Sequence, residues 1–262
     1  MSSDIEHIIW ADLRASAEAL VKEEPDLASY YHANVLNHES LEEALAYVLA
    51  SRLGNQVMPP LMLSQVLQKI LLKDADIAEA VRADLVAWRT RDPACSSYLD
   101  PFLHFKGFHA LQSHRMAHAL WISNRQWLAR LIQSRCAEVF DIDIHPAARF
   151  GRGIMLDHGT ALVIGETAEL GDDVSLLHHV TLGGNGCLGG NRHPKIGDGV
   201  LISVGATVLG PIHVGEGAKI GAGSLVLDDV PEHCTVAGVP ARIVGKPISE
   251  RPSLAMDQSL DS

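Results

Sequence analysis

Ile164-Gly165-Glu166-Thr167-Ala168-Glu169-Leu170-Gly171-Asp172-Asp173-Val174-Ser175-Leu176 places an aliphatic residue at every sixth position. The series reaches Leu182, breaks, restarts at Ile196 and runs through Ile202, Val208, Val214, Ile220 and Val226. Gly follows the aliphatic residue at 165, 171, 183, 197, 215 and 221. A small or β-branched residue stands four places on at Ala168, Val174, Val180, Val200, Ala206, Ala218 and Ser224. A helix needs a period near 3.6 and a half-buried strand a period of about 2, and neither fits. A fixed short period is the mark of a β-solenoid. Each unit supplies one short strand and one turn, the aliphatic residue points to the axis, and each coil touches only its neighbours. Phe150 and Leu156 carry the period in another phase, and the longer step from Leu156 to Ile164 places a short insertion near Gly159–Val163.

The stretch Gly183-Gly184-Asn185-Gly186-Cys187-Leu188-Gly189-Gly190-Asn191-Arg192-His193-Pro194-Lys195 interrupts the repeat and cannot be a coil. Loops that leave a rigid scaffold are where function concentrates. Before the solenoid, residues 1–140 are Gly-poor and rich in Ala, Leu, Glu, Arg and Gln. Helical patterns cover Ile5–Glu23, Ser40–Leu53, Pro60–Leu72, Ala75–Asp92 and, with interruptions, Phe105–Phe140. Asp26 is placed to cap a short helix, and Ser40 with Glu43 has the spacing of a capping box. Pro60 suits a first turn, and Pro93 ends the pattern before it. The expected division is 1–140 helical, 141–245 solenoid and 246–262 a polar, poorly ordered tail.

The chain has 262 residues, 47% hydrophobic and 20% charged, as in a globular protein. Its formal net charge of −11 argues against nucleic acid or an anionic membrane surface as partner. Cys95, Cys136, Cys187 and Cys234 have no metal-binding spacing, so free thiols in a reducing cytoplasm are expected. The N-terminus carries Asp4 and Glu6 and no apolar core of a signal peptide. No apolar run is long enough to span a membrane.

Among the 14 histidines, His7, His32, His38, His109, His114, His118 and His213 read as ordinary surface residues. Four stand out by context: His158 beside the phase break, His193 beside Arg192 in the Gly-rich loop, and the pair His178 and His179 on a coil. Asp143 precedes His158 by about one coil, so the two can lie on adjacent coils. A carboxylate beside an imidazole fixes its tautomer and raises its basicity, which makes a general base. At this point a zinc lyase using three of the residues His158, His178, His179 and His193 also remains open, since such a site needs three ligands and an open position. A non-catalytic scaffold remains open too.

Asp143-Ile144-His145-Pro146-Ala147-Ala148, Gly151-Arg152-Gly153-Ile154-Met155-Leu156-Asp157-His158, Gly165-Glu166-Thr167, Asn191-Arg192-His193-Pro194-Lys195 and Ala237-Gly238-Val239-Pro240-Ala241-Arg242-Ile243-Val244-Gly245-Lys246-Pro247 resemble the bacterial serine acetyltransferases. Lys106-Gly107-Phe108-His109-Ala110-Leu111-Gln112 resembles the same family, so the likeness covers nearly the whole chain. The repeat by itself is common to many acyltransferases, including those acting on sugars or homoserine. The Leu-Asp-His, Arg-His-Pro-Lys and Lys-Gly-Phe-His-Ala segments together are specific.

The resemblance implies an all-helical domain followed by a left-handed parallel β-helix, in trimers paired into homohexamers through the helical halves. It implies acetyl transfer from acetyl-CoA to the hydroxyl of L-serine, with no tightly bound cofactor and no metal, and inhibition by L-cysteine. His158 is then the base and Asp143 its orienter. Asp92 and Asp157 hold the substrate ammonium, and Arg192 and His193 its carboxylate. Gly184, Gly205 and Ala222 let pantetheine lie close to the backbone, while Lys219, Arg242 and Lys246 face the CoA phosphates. The family also docks a C-terminal isoleucine into O-acetylserine sulfhydrylase. This sequence ends Met256-Asp257-Gln258-Ser259-Leu260-Asp261-Ser262 without that isoleucine, so the expectation is either a shortened C-terminus or a weakened partnership.

Overall fold

The computed structural model describes residues 2–186 and 189–260, with side chains from His7 onward. Cys187 and Leu188 of the Gly-rich loop, and Asp261 and Ser262 at the terminus, lie outside the described residues. The helical half comprises α1 (Ser2–Glu23), α2 (Ala28–Tyr31), α3 (Leu41–Leu53), α4 (Pro60–Leu71), α5 (Ala75–Arg91), α6 (Leu99–Leu103), α7 (Lys106–Ile122) and α8 (Gln126–Phe140). Ser40 Oγ accepts the Glu43 N–H at 3.3 Å and caps α3. The Glu43 carboxylate reaches the N–H of Glu39 rather than that of Ser40, so the box is displaced by one residue. Asp26 caps nothing: it lies inside a 3₁₀ turn, Pro25–Leu27, whose N-cap is Glu24.

The strands of the second half are β1 (Ile142–Ile144), β2 (Arg149–Phe150), β3 (Met155–Leu156), β4 (Leu162–Ile164), β5 (Glu169–Leu170), β6 (Ser175–Leu176), β7 (Thr181–Gly183), β8 (Lys195–Ile196), β9 (Leu201–Ile202), β10 (Thr207–Leu209), β11 (His213–Val214), β12 (Lys219–Ile220), β13 (Leu225–Val226), β14 (Thr235–Gly238) and β15 (Ala241–Gly245). They form three sheets: A, β1-β4-β7-β10-β13; B, β2-β5-β8-β11; and C, β3-β6-β9-β12-β14-β15. All pairs are parallel except the β14–β15 hairpin that ends sheet C. Val163 pairs with Thr181, and Thr207 with Leu225, each eighteen residues on. Three hexapeptides therefore make one coil. The first coil is two residues longer, Ile142 pairing with Leu162, which locates the expected insertion. Thr181 pairs with Thr207, so the Gly-rich loop adds eight residues without disturbing the stack.

Every aliphatic residue of the series from Ile164 to Val226 is buried, and so are the seven small or β-branched corner residues. Helices α5 and α7 pack on the first coil through polar groups as well as apolar ones. Asp84, fully buried, accepts two hydrogen bonds from Arg115, one from Gln112 Nε2 at 2.9 Å and one from the Ile154 N–H at 2.9 Å. Arg91 reaches Asp173 Oδ1 at 2.8 Å and Ser175 Oγ at 3.1 Å. His109 and His114 are not surface residues: α7 is enclosed on most of its circumference, and both rings are buried. Burial pushes the His109 imidazole down to about 3, with its Nε2 bonded to the Phe102 carbonyl at 2.9 Å.

The tail is docked, contrary to the expectation of disorder. Arg251 pairs with Asp173 at 2.9 Å, and Ser175 Oγ donates to the Ser253 carbonyl at 3.1 Å. The short helix α9 (Pro252–Ala255) then packs on α5 and β9. These two polar anchors and two buried residues, Pro252 and Ser253, outweigh a composition that reads as solvated.

Replacing Asp84 with Ala leaves Arg115 as an unpaired buried cation. The expected cost is about 3–5 kcal/mol, read from urea unfolding at fixed protein concentration. A loss below about 1 kcal/mol would show that the two halves are held together elsewhere.

Candidate active site

The corner from sheet C to sheet A carries Asp157 and His158 after β3, His178 and His179 after β6, Gly205 after β9 and Ala222 after β12. Asp92, just past the end of α5, and Lys106 and Gly107, at the start of α7, face the first level of this corner. Together with Trp88, Ala94, His104, Phe105, Asp157 and His158 they line a cleft of about 270 Å³. The approach is close because Gly107 has no side chain: a Cβ there would stand 1.9 Å from the Leu156 carbonyl oxygen. His158 has φ +56°, a left-handed conformation uncommon outside Gly. Its side chain is 73% exposed, with Nε2 4.0 Å from Asp157 Oδ1. The His178 ring meets it edge-on, centroids 5.5 Å apart. Burial pushes the Asp157 carboxyl up, the His158 ring draws it down, and the Asp92 charge raises it again. Two carboxylates beside one cleft suit a cationic group.

The corner from sheet A to sheet B holds the second group. Here the Gly-rich loop leaves β7 and returns at β8. The Arg192 guanidinium is bonded to Glu166, and this hydrogen bond holds the Glu166 carboxyl below the usual range. His193 is 7% exposed. Its Nδ1 is met by the Thr167 N–H at 3.2 Å and Oγ1 at 2.9 Å. Burial first, and Arg192 next, lower its basicity. Gly184 lies against the Arg192 backbone and the His193 ring. Asp143 sits mid-strand in β1, where its Oδ1 accepts Gln133 Nε2 at 2.7 Å.

One chain therefore splits the expected site between two corners. Asp92, Asp157 and His158 come together, and Gly184, Arg192 and His193 come together. Sheet A lies between them, with strands such as β4 spanning three residues or about 10 Å. Among the described residues no hydrogen bond joins Asp143 to His158. Gly205 and Ala222 stack above His158. Lys219 does not stand open: it is 3% exposed and its Nζ is held by Asp257 and the Ser259 carbonyl of the docked tail. Arg242, 3.8 Å from Asp228, and Lys246 are exposed.

Among the described residues, no three His, Cys, Asp or Glu side chains are grouped to hold a metal ion. Among the same residues no helix is long and apolar enough to cross a membrane. Sequence reasoning assigned no role to Trp88, Lys106, Gln133, Glu166 or Thr167. The motifs containing Lys106 and Gly165-Glu166-Thr167 were the available signal.

A parallel β-helix whose coils close in three hexapeptides is the architecture of the hexapeptide-repeat proteins. Residues 9–113 match the model of the serine acetyltransferase N-terminal region, and residues 193–228 match the bacterial transferase hexapeptide repeats. The serine acetyltransferase of Escherichia coli K12 is 52% identical over 98% of this chain and 94% of its own. Among solved structures, soybean serine acetyltransferase complexed with serine superimposes with a TM-score of 0.90 at 51% identity, covering 92% of this chain and 99% of that one. The enzyme from Brucella abortus in complex with coenzyme A gives 0.89 at 49%, covering 91% and 95%. A serine acetyltransferase in complex with cysteine gives 0.94 at 46%, covering 99% of both. The chain belongs to the serine acetyltransferase family.

Because α7 and the Leu156 carbonyl are in contact at Gly107, Gly107→Ala must push the helix from the corner, at an overpacking cost of about 1–3 kcal/mol. The expected outcome is a folded protein with reduced kcat/KM and a displaced Asp157–His158 segment. Wild-type turnover with an unmoved corner in a crystal structure would contradict it.

Proposed function

We propose that the protein transfers acetyl from acetyl-CoA to the hydroxyl of L-serine, at sites composed between neighbouring chains of a trimer. The observation that carries this reading is the division of the charged residues between two corners of the β-helix. A closed threefold ring of heterologous contacts sets one corner of each chain against a different corner of the next. The Asp92–Asp157–His158 cleft then faces the Arg192–His193 loop of its neighbour, giving one end for an ammonium, one for a carboxylate and an imidazole between.

The roles follow from residue chemistry. A serine hydroxyl is a weak nucleophile, so His158 takes its proton as the oxygen attacks the thioester carbonyl. Asp143 has one oxygen on Gln133 and the other left for an imidazole, which it orients. A backbone N–H near Gly184 receives the developing oxyanion. Collapse of the tetrahedral intermediate breaks the C–S bond, and the imidazolium returns its proton to the CoA thiolate. Asp92 and Asp157 receive the ammonium, and Arg192 with His193 the carboxylate, where a guanidinium can bond both oxygens. Pantetheine runs along the corner past Gly205 and Ala222, towards the exposed Arg242 and Lys246. Trimers pair into hexamers through the helical half, where Val57, Leu61, Met62 and Leu72 are exposed apolar side chains.

His158→Ala is expected to lower kcat by about 10²–10⁴, and Arg192→Ala to raise KM for serine far more than KM for acetyl-CoA. Refolding the two variants together tests the composite site. Random mixing regenerates about a quarter of the sites intact, so activity well above either parent is expected. Absence of rescue would place the whole site within one chain.

L-Cysteine carries the ammonium and carboxylate of serine, so one set of charges holds both. It is expected to inhibit competitively against serine, and Asp92→Ala to weaken both together. A variant that loses serine binding and keeps full cysteine affinity would require a separate inhibitor pocket.

A further inference from the structure

The fold dictates where His193 carries its proton. Thr167 Oγ1 accepts the N–H of Arg192 at 3.0 Å and the N–H of His193 at 3.1 Å. With both lone pairs engaged, the hydroxyl's remaining capacity is as a donor, and its partner is His193 Nδ1 at 2.9 Å. The Thr167 backbone N–H donates to the same nitrogen at 3.2 Å. A nitrogen that accepts cannot also hold a hydrogen, so the neutral ring keeps its own on Nε2. The Nε2–Cδ2 edge lies against Gly165, where a Cβ would stand 1.9 Å from Nε2, so only Gly leaves the ring its place. Among the described residues nothing hydrogen-bonds Nε2. Glu166, between Gly165 and Thr167, holds Arg192 beside it.

We propose that Thr167 is a positioning residue for the acetyl acceptor: it locks His193 as an Nε2–H donor, presented with the Arg192 guanidinium to the acceptor carboxylate. The turn 165–167 of one coil thereby sets the chemistry of the loop above it. A second proton would have to go to Nδ1, where both donors already point. Burial and the Arg192 charge work in the same direction, against the pull of Glu166. A ring N–H donor beside a guanidinium binds a carboxylate in preference to an ammonium, which orients an amino acid in one sense. This consequence rests on the reading of Arg192 and His193 as the carboxylate partners.

The test compares Thr167→Val, which keeps the shape and removes the hydroxyl, with Thr167→Ser, which restores it. Solid-state ¹⁵N NMR of histidine-labelled protein, with His193→Asn to assign the signal, reads the tautomer directly. The Nε2–H form is expected in the parent and in Thr167→Ser, with a mixed or shifted signal in Thr167→Val. KM for serine is expected to rise about tenfold in Thr167→Val, the loss of one charge-assisted hydrogen bond. KM for acetyl-CoA should stay within about twofold, and Thr167→Ser should recover serine binding. An Nδ1–H or doubly protonated His193 in the parent overturns the proposal. So does a Thr167→Val protein with unchanged tautomer and unchanged serine KM. If His193→Asn leaves serine KM unaltered while the tautomer result holds, the carboxylate reading falls and the role of Thr167 in fixing the ring stands.

Discussion

The requirement that each coil close in eighteen residues governs the rest of the molecule. Val163 above Thr181 and Thr207 above Leu225 are consequences of it. Because the stack repeats, any residue added to a turn must leave the coil at a corner and return to the same register. The two extra residues of the first coil and the eight of the Gly-rich loop both do so. The corners are therefore the places where chemistry can be added without loss of the core. His158 and Asp157 occupy one of them, and Arg192 and His193 another.

A solenoid leaves its first coil uncovered, and the helical half covers it. The contact is partly polar. Asp84 bonds an Arg and a Gln of α7 and the backbone of the first coil, and Arg91 continues the connection to the second level. Burying a carboxylate and a guanidinium is worthwhile only where their hydrogen bonds are made, so these groups specify how the two halves meet. That placement has a functional result: Asp92 follows Arg91 directly, and Gly107 brings α7 against Leu156. The helical half thus supplies one wall of the cleft at His158. The docked tail, anchored on Asp173 and Lys219, covers sheet C in the direction of Gly221.

Much of the candidate site was legible in the sequence as a list of residues, because the motifs around Asp157-His158 and Arg192-His193 stand out from the repeat. Their grouping was not. Asp143 and His158 are about one coil apart in sequence, yet β1 presents Asp143 to Gln133 of α8, a partner that no spacing in the solenoid could indicate. Lys219 read as an open cation, and a tail with the composition of a solvated segment bonds it. His109 and His114 read as surface residues because α7 lacks a one-sided pattern. It is enclosed on nearly all sides, and such a helix has no polar stripe to mark its exposed face.

Local periodicity determined the helical half, the solenoid, the position of both insertions and the identity of the solenoid's core residues. Each of those depends only on which residues recur at fixed spacing along the chain. Tertiary structure alone decided which corner each charged residue occupies, which of them meet, and which oxygen or nitrogen is left open. Those are contacts between residues tens of positions apart, set by how one surface packs on another. Thr167 shows the difference most directly: its place in the repeat follows from the period of six, and its hold on the ring of His193 from the return of a loop 26 residues later.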